Sequence, residues 1–388
     1  MSAQFDRFGA DPAMAHAWRD DPRVVLVLDA GGTSLRFDAI QGGRALLDAP
    51  CTLPSYGDDL ERSLAQITRG FATVHAATAR RAVALSLAFP GPADYRRGII
   101  GDLPNLPGFR GGVPLGPMLA ARFGLPTFAN NDGTLFAYGE ALGGLLPFVN
   151  DRLAAAGSVR RFRNLLGFTF GTGFGGGIVI DGRPVMGDNS AASQVWMMRH
   201  RDDRLRMAEE GVSIRAVRRD YAAATGLALD DVPEPKQIAQ IATGEAPGDR
   251  RAASEAFRRL GQVAGDAIAN ALTLIDGLVV LGGGLSGAAG LFRAALLDEL
   301  NGKLEGVSGP IARLPFHVLD LDDPSGLAAL VADPVRELAI PGTEQTIAGS
   351  PRKLTGIGVT RLGTTAAIAL GAYAYALGEI AAVGSTSR

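Results

Sequence analysis

Glycine-rich turns at the ends of apolar runs are the feature that most constrains the fold of this chain. Three apolar runs end in such turns, at 31–33, 171–173 and 282–284. Glycine accounts for 52 of the 388 residues, against a usual share of about 7%, and the excess is concentrated at a few turns. Glycine is costly in chain entropy, but a backbone without Cβ atoms can approach an anion closely. Three such turns together favour phosphate binding over three unrelated tight turns.

The first two turns belong to a layout that occurs twice in the chain. An apolar strand, a Gly/Thr turn and a second strand follow one another over 23–40 and again over 165–180. The repetition predicts two related halves facing each other. Strands elsewhere alternate with helical stretches, which is typical of an α/β fold. The predicted helices are 59–79, 133–143, 251–275, 288–302 and 365–380, with a further one starting near Pro114, and the other predicted strands are 82–91, 126–130 and 278–284.

Two segments do not fit this alternation. Segment 307–360 is rich in Pro and Gly and is longer than an ordinary connection, so we predict an irregular stretch that is either functional or a surface insertion. The arginine-rich segment 144–163 is also predicted to be an exposed insertion. The pattern divides the chain into an N-terminal arm, an N-terminal α/β domain and a C-terminal α/β domain, with bounds 1–22, 23–135 plus 365–388, and 136–364.

Charge and cysteine content exclude several classes of protein. With 38 basic and 40 acidic residues, the chain has no electrostatic footprint for nucleic acid or anionic lipid. Its one cysteine excludes a disulfide framework and any multi-cysteine metal site. The N-terminus lacks the apolar core of a signal peptide, and no apolar run reaches the roughly 18 residues that span a bilayer. The longest run, 366–377, is predicted to be a buried helix. We therefore expect a cytoplasmic protein without nucleic-acid or membrane partners.

The first turn carries an acidic residue that suits metal chemistry. Asp29 ends the apolar strand just before the turn, and its carboxylate can hold Mg²⁺ directly or through water. Thr33 adds a hydroxyl donor to the backbone N–H groups of the turn. The alternative is an ordinary glycine-rich hairpin, and this turn taken alone leaves both interpretations open.

The second and third turns suit a nucleotide. Five glycines occur among residues 171–177, yet the segment lacks the Gly-Lys-Ser/Thr of a P-loop and is not a well-placed dinucleotide fingerprint. The third turn, 281–284, ends a strand and opens a helix, which is a natural place for a nucleotide to lie. A tight strand-to-helix turn accounts for the third turn nearly as well when it is considered singly.

A polar cluster, Asn130-Asn131-Asp132-Gly133, stands at the end of another predicted strand. Local sequence alone favours Asp132 as a helix N-cap or turn residue. In a chain with phosphate-binding turns, a general base that activates a hydroxyl nucleophile is the better interpretation.

These residues together resemble the ROK family (repressor, open reading frame, kinase) of the hexokinase and actin-like ATPase superfamily. The resemblance covers most of 24–300 and 361–378, in the family's order. It is carried by LDAGGTSLR, LAFPGPAD, LPNLPGF, ANNDGTLFAYGEALGG, FGTGFGGGIVIDGRP, LVVLGGGLSG and LGTTAAIALGA. It implies an α/β fold of two RNase H-like domains with an interdomain cleft, a homodimer, and ATP- and Mg²⁺-dependent phosphorylation of a hexose or hexose derivative, usually at the 6-hydroxyl.

The resemblance also implies roles for individual residues. Asp132 would take the proton of the sugar hydroxyl, while Asn131 and Asn105 would bind other sugar hydroxyls. Asp29 would hold the magnesium ion. Contacts to the nucleotide are implied for Asp29, Gly31, Gly32, Thr33, Gly171, Thr172, Gly173, Gly283 and Gly284.

The chain departs from the family pattern after the second turn. Family members usually carry Gly-Glu-Ile-Gly-His there, followed by a three-cysteine zinc motif, whereas this chain has Ser-Gln-Val-Trp-Met over 193–197. Gln194 replaces the sugar-binding Glu and Met197 replaces the His, and no cysteines follow, so we expect no zinc site. Glu209 matches the spacing of the family's last sugar-contacting Glu, with Glu210 as the alternative register and a surface carboxylate pair as the simpler interpretation.

The altered sugar motif leaves two further functional interpretations open. One is a catalytically weak sensor of sugar or nucleotide on a kinase scaffold. The other is an ATPase that acts on a substrate other than a sugar. A DNA-binding repressor is disfavoured, because only about 23 residues precede the first strand and they are not basic.

Overall fold

The computed structural model describes residues 18–102, 106–332, 334, 336–349 and 352–386, with the side chains of 384–386 left out. The chain forms two compact units. Unit 1 comprises Met1–Gly144, Gly177–Ser193 and Leu362–Arg388, and unit 2 comprises Leu145–Gly176 and Gln194–Arg361. The division drawn from the sequence placed a boundary at 135, which falls inside a helix that belongs wholly to unit 1. Most of the predicted N-terminal arm and Asn105 lie outside the described residues.

Both units contain β-strands. Their bounds are β1 Val24–Ala30, β2 Ser34–Gln41, β3 Arg44–Ala45, β4 Cys51–Pro54, β5 Ala82–Phe89, β6 Ala93–Asp94, β7 Ile99–Ile100, β8 Thr127–Asn131, β9 Leu165–Phe170, β10 Phe174–Ile180, β11 Arg183–Pro184, β12 Leu278–Gly282, β13 Lys303–Gly306, β14 Gly309–Ala312, β15 His317–Asp320, β16 Arg336–Ala339, β17 Thr346–Gly349 and β18 Leu354–Val359.

The helices follow the predicted positions closely where the sequence pattern is periodic. Their bounds are α1 Leu60–Ala77, α2 Leu115–Phe123, α3 Asp132–Gly143, α4 Leu145–Ala155, α5 Ile214–Thr225, α6 Pro235–Thr243, α7 Arg250–Leu274, α8 Ala289–Leu300, α9 Pro324–Val331 and α10 Thr364–Thr386.

The first sheet forms the centre of unit 1. Its strand order is β3-β2-β1-β5-β8, with β4 also paired to β2. The β1/β2 pair is antiparallel, whereas β1, β5 and β8 run parallel. Helix α1 packs against one face, where Phe37 and Phe71 meet edge to face with their ring centroids 5.2 Å apart. Helix α10 packs against the opposite face, where Ser86 Oγ donates a hydrogen bond of 2.8 Å to the carbonyl of Ala372.

The second sheet repeats this arrangement. Strands β10-β9-β12-β18-β15 are neighbours in that order, and β9, β12, β18 and β15 run parallel. The chain leaves unit 2 within β10, and the end of β10 pairs antiparallel with β11 in unit 1. Each sheet thus begins with an antiparallel hairpin and continues with parallel strands joined through helices. This is the layout repeat seen in the sequence, and the predicted class of two RNase H-like α/β domains is confirmed.

Segment 144–163, predicted as an exposed insertion, and segment 307–360, predicted as an irregular stretch that is either functional or a surface insertion, both contribute regular elements to unit 2. Segment 307–360 contributes β15 and β18 to the second sheet, and most of β18 is buried. Its Pro and Gly residues lie partly in the connections and hairpins between these strands. Segment 144–163 contains α4, whose Leu145, Leu146, Val149 and Leu153 are buried. Composition alone did not reveal these elements, because β15 has only four residues, β18 contains two glycines, and α4 is followed closely by arginines.

Helix α10 is more apolar than the sequence analysis allowed. By length and composition alone, Thr364–Val383 could cross a membrane, but half of this stretch is buried within the protein. It packs against α3 so closely that a Cβ added at Gly139 would lie 1.9 Å from the carbonyl oxygen of Ala367, and one at Gly371 would lie 2.0 Å from that of Leu135. The apolar composition of α10 therefore follows from its place in the core of unit 1.

Candidate active site

The carboxyl ends of three parallel strands bring the predicted acidic residues of unit 1 to one edge of the first sheet. The register places Asp29 of β1 beside Ala88 of β5, and Ala88 beside Asn130 of β8. Asp132 follows two residues later as the first residue of α3. Strand ends at the carboxyl edge of such sheets are common ligand sites.

The glycine turn after β1 is held from within unit 1 and leaves its tip in solvent. The N–H of Gly31 donates to the carbonyl of Ser34 at 2.9 Å, and a Cβ at Gly31 would lie 3.1 Å from that oxygen. Ser55 Oγ donates to the carbonyl of Gly32 at 2.6 Å. Gly32 and Thr33 are exposed. The turn is therefore held by hydrogen bonds on both sides of Gly31-Gly32, and its tip is accessible to a phosphate group.

Asn131, rather than Asp132, is the N-cap of α3. Its Oδ1 accepts the N–H of Thr134 at 3.2 Å, and its Nδ2 donates to the hydroxyl of Tyr95 at 3.2 Å. The Tyr95 hydroxyl in turn donates to the carbonyl of Phe89 at 2.9 Å. The capping role that the sequence offered for Asp132 thus belongs to its neighbour, and the carboxylate of Asp132 accepts the N–H of Gly133 at 2.8 Å.

Burial raises the pKa of both acidic residues at this edge, Asp29 and Asp132. Burial raises the pKa of Asp29 to about 6, the charge of Asp132 acts in the same direction, and Arg36 opposes both. Burial also raises the pKa of Asp132, against the hydrogen bond from Gly133. A bound cation would relieve this concentration of negative charge, because it favours the ionised form of a carboxylate.

The residues at this edge fit a magnesium ion better than a metal held by protein alone. Within the described ranges, no group of three or more His, Cys, Asp and Glu side chains is placed to hold a metal. Mg²⁺ usually takes only one or two protein carboxylates and completes its shell with waters and substrate phosphates. The Asp29 carboxylate receives no hydrogen bond from the part of the chain that the structure describes, which suits that arrangement.

The glycine turn of unit 2 is fixed by bonds on its inner side. The N–H of Gly171 donates to the carbonyl of Gly173 at 3.0 Å, and the N–H of Ile214 donates to the carbonyl of Gly171 at 2.8 Å. Thr172, at the tip, is exposed. The turn resembles the one after β1 in having a braced base and an accessible tip.

Glu209 is part of this bracing. Its Oε2 accepts the N–H of Phe174 at 3.0 Å, and its Oε1 accepts from Arg215 at 3.0 Å. A Cβ at Gly173 would lie 2.6 Å from Oε2. Glu210, the alternative register, pairs instead with Arg215 at 3.3 Å and Arg219 at 3.0 Å. Of the two carboxylates, Glu209 is the one that bonds to the turn.

The third glycine turn adjoins the second. Strands β9 and β12 are parallel neighbours, so the turns that follow them lie at the same sheet edge. Gly283 has a φ of +85°, and a Cβ there would lie 2.3 Å from the carbonyl oxygen of Phe170. Gly284 is exposed, and its nitrogen would lie 4.0 Å from a Cβ at Gly171. The predicted nucleotide-binding residues of unit 2 therefore form one continuous glycine surface.

The altered sugar motif forms a short turn at 194–198 in unit 2. Gln194 Oε1 accepts a hydrogen bond of 2.6 Å from the indole N–H of Trp196. Met197 points outward and is 63% exposed. The residue that replaces the family's Glu is thus paired with a neighbouring aromatic side chain, and the residue that replaces its His has no packed position.

Sequence reasoning missed Tyr95 and Glu140 in unit 1. Glu140 is fully buried on α3, and its Oε1 accepts the N–H of Leu362 at 3.0 Å. An acidic residue among the apolar residues of the second half of α3 was the available signal for Glu140. Tyr95 lies in a short connection, and no pattern in the sequence links it to Asn131.

The strand order within each of the two sheets and the glycine turns at their carboxyl edges define the class of protein. It is an α/β protein of the actin-like ATPase fold. Comparison with known proteins gives the family. The ROK family matches residues 25–309, and the chain belongs to the ROK family, as its motifs predicted.

Individual relatives agree with this assignment. A crystal structure of glucokinase from Parabacteroides distasonis is 48% identical, with 93% of this chain and 99% of that chain covered and a TM-score of 0.83. N-acetyl-D-glucosamine kinase of Vibrio cholerae is 29% identical over 273 residues, which are 66% of this chain and 83% of the relative. Glucokinase of Streptomyces coelicolor is 24% identical over 285 residues, which are 68% and 82% of the two chains.

Proposed function

We propose that this chain is an ATP-dependent sugar kinase that phosphorylates a hydroxyl of a hexose or hexose derivative, at the 6-position as in glucokinase. The proposal is supported by family membership and by relatives named glucokinase and N-acetyl-D-glucosamine kinase. The observation that carries it is the placement of Asp29 and Asp132 at the carboxyl edge of the first sheet, near enough for the charge of Asp132 to raise the pKa of Asp29. One carboxylate suits a metal–phosphate ligand and the other suits a base.

In the proposed reaction, Asp132 is the general base. Its carboxylate accepts the proton of the sugar hydroxyl as the hydroxyl oxygen forms a bond to the γ-phosphorus of ATP. The bond from that phosphorus to the bridging oxygen breaks, and ADP leaves with the electron pair. Because burial raises the pKa of Asp132, its ionised form is a stronger base than an exposed aspartate.

ATP and Mg²⁺ are the proposed cofactors, and the glycine turns are their proposed binding elements. In unit 1, Asp29 would hold Mg²⁺, and Gly31, Gly32 and Thr33 would contact phosphate oxygens. Mg²⁺ supplies positive charge that offsets the charge on the phosphates. In unit 2, the proposed contacts to the nucleotide are Gly171, Thr172, Gly173, Gly283 and Gly284.

The proposed sugar contacts are Asn131, Asn105, Gln194 and Glu209. Because Asn131 caps α3 and bonds to Tyr95, it would bind a hydroxyl through its remaining hydrogen-bonding capacity. Glu209 would act partly by holding the second glycine turn, since Phe174 and Arg215 already engage its oxygens. Glucose is the first candidate substrate, because the 48% identical relative is a glucokinase, and N-acetyl-D-glucosamine is the second.

The test is ADP release from Mg·ATP across a panel of hexoses, N-acetylhexosamines, ketoses and sugar acids. We expect one sugar class to stimulate ADP release, and we expect Asp132→Asn to lower that rate by a factor of about 10² to 10⁴. Full activity of the Asp132→Asn protein would remove Asp132 from the mechanism. Release of ADP that no sugar stimulates would contradict the sugar kinase.

The second candidate function is a catalytically weak sensor of sugar or nucleotide on the same scaffold. The altered motif favours it, because Gln194 is paired with Trp196 and Met197 is exposed where the family has Glu and His. A sugar that raises the melting temperature without stimulating ADP release would identify the sensor.

We also propose that the protein acts in the cytoplasm, and that it forms a homodimer, as its family resemblance implies. Light scattering on the purified protein should then give twice the single-chain mass of 40.2 kDa.

A further inference from the structure

An arginine stands directly across the β-ladder from Asp29. The register of the antiparallel β1/β2 pair sets Arg36 opposite Asp29, and β4 places Thr52 on the other side of Arg36. Residues opposite each other on neighbouring strands point to the same face, with Cα atoms about 4.5–5.5 Å apart. The guanidinium and the carboxylate therefore share one face of the sheet, three residues beyond Thr33.

Despite this register, the two side chains are not paired with each other. Arg36 is exposed, and in the part of the chain that the structure describes neither side chain makes a hydrogen bond or ion pair. The charge of Arg36 still acts on Asp29, because it lowers the pKa of that carboxyl against the effect of burial. Other arginines of the chain, such as Arg215 and Arg293, are bound to carboxylates. Arg36 is thus a cation beside the phosphate turn with its donors free for a ligand.

We propose that Arg36 contacts an oxygen of the terminal phosphate of ATP and is a further catalytic residue of the sugar kinase, so this inference rests on the proposed function. A guanidinium presents donors in a planar fork that matches phosphate geometry. Catalysis of phosphoryl transfer depends on positive charge at the transferring group. An arginine on one side of the phosphate and a metal-binding aspartate on the other also explain why the two side chains do not pair.

The variants are Arg36→Gln, Arg36→Lys and a matched control, Arg44→Gln. Arg44 is also an exposed arginine of the first sheet. It lies in β3 opposite Gln41, which is at the other end of β2 from Arg36 and the glycine turn. Binding of ADP and of a non-hydrolysable ATP analogue is measured at equilibrium with Mg²⁺, and kcat is measured with the sugar that works best.

We expect Arg36→Gln to weaken binding of the ATP analogue about tenfold or more while ADP affinity changes less than about twofold, and to lower kcat by a factor of about 10 to 10³. Arg36→Lys should restore part of both losses, and Arg44→Gln should change neither. Equal weakening of ADP and analogue, or no weakening of either, would overturn the contact. If wild-type protein releases no sugar-dependent ADP, the proposed function fails, but the comparison of ADP with the analogue still tests Arg36.

Discussion

Glu209 accepts the backbone N–H of Phe174 through Oε2 at 3.0 Å, which ties a carboxylate to the first residue after the Gly171–Gly173 turn. Its other oxygen is bound to Arg215 at 3.0 Å. A hydrogen bond from a backbone N–H to a charged acceptor is stronger than one to a neutral acceptor. The Glu209 carboxylate thereby adds a side-chain bond to the backbone bond from Ile214 to Gly171, which also ties the turn to the segment that leads into α5.

Replacement of Glu209 by Ala should loosen this turn. We expect the KM for ATP to rise about tenfold, because the N–H of Phe174 loses its partner, and such a loss costs about 1–3 kcal/mol. Glu210→Ala is the matched control, because Glu210 shares Arg215 but makes no bond to the turn. Steady-state kinetics with varied ATP will measure both variants, and equal KM values for the two would contradict the role of Glu209.

Gly283 should not tolerate a side chain, whereas Gly284 should. A Cβ at Gly283 would lie 2.3 Å from the carbonyl oxygen of Phe170 and would also require a φ of +85°. We expect Gly283→Ala to lower the free energy of unfolding by about 2 kcal/mol or more. No atom lies within 4 Å of a Cβ at Gly284, so Gly284→Ala should fold normally and raise only the KM for ATP. Urea unfolding of both variants, with ATP kinetics for Gly284→Ala, tests the pair; normal stability of Gly283→Ala would refute the steric argument.

The raised pKa of Asp29 makes a prediction about stability and pH. A carboxyl whose pKa is about 6 in the folded protein and 3.8 as a reference favours folding at low pH and loses that contribution as pH rises through 6. Without metal or nucleotide, Asp29→Asn should therefore raise the melting temperature at pH 8. The corresponding gain in the free energy of unfolding is at most about 3 kcal/mol. The gain should shrink between pH 6 and pH 4.

Thermal unfolding at pH 8 and pH 4 measures this effect. Asp58→Asn is the control, because Asp58 is exposed in the same unit. A melting temperature for Asp29→Asn below that of the wild type at pH 8 would show that the ionised carboxylate stabilises unit 1, contrary to the prediction.

Glu140 should contribute to the stability of unit 1 through its bond to Leu362. Leucine at position 140 would leave the N–H of Leu362 without this acceptor, so we expect Glu140→Leu to lower the free energy of unfolding by about 1–3 kcal/mol. Glu140→Gln keeps an oxygen acceptor and should lose less. Glu61→Leu, at an exposed position of α1, should change stability by less than about 1 kcal/mol. A Glu140→Leu protein as stable as the wild type in urea would refute the prediction.

Apolar runs that end in glycine turns or in polar residues were enough to predict the elements that carry the candidate site. Strand β1 ends in an aspartate and a glycine turn, and β8 leads into a helix through Asn131, so both could be placed from local pattern. The same holds for the turn after β12, because a short apolar strand that runs through glycines into a helix is a strong local signal.

The sequence was less informative where structure depends on distant partners. Strand β18 lies between β12 and β15 in the second sheet, and nothing in its own glycine-containing sequence signals that position. The bond between Tyr95 and Asn131 joins residues 36 positions apart. The opposition of Asp29 and Arg36 follows from the register of one hairpin, which turn geometry sets and composition does not.

The place of α10 in unit 1 has a consequence for the order in which the chain can fold. Its Ala372 is bonded to Ser86, which precedes it by 286 residues, and all of unit 2 lies at or before Arg361. During synthesis, unit 2 is therefore complete while one face of the first sheet still lacks its covering helix. That face, and the groove in α3 that receives Gly371, stay exposed to chaperones or to unwanted partners until α10, Thr364–Thr386, has been synthesised.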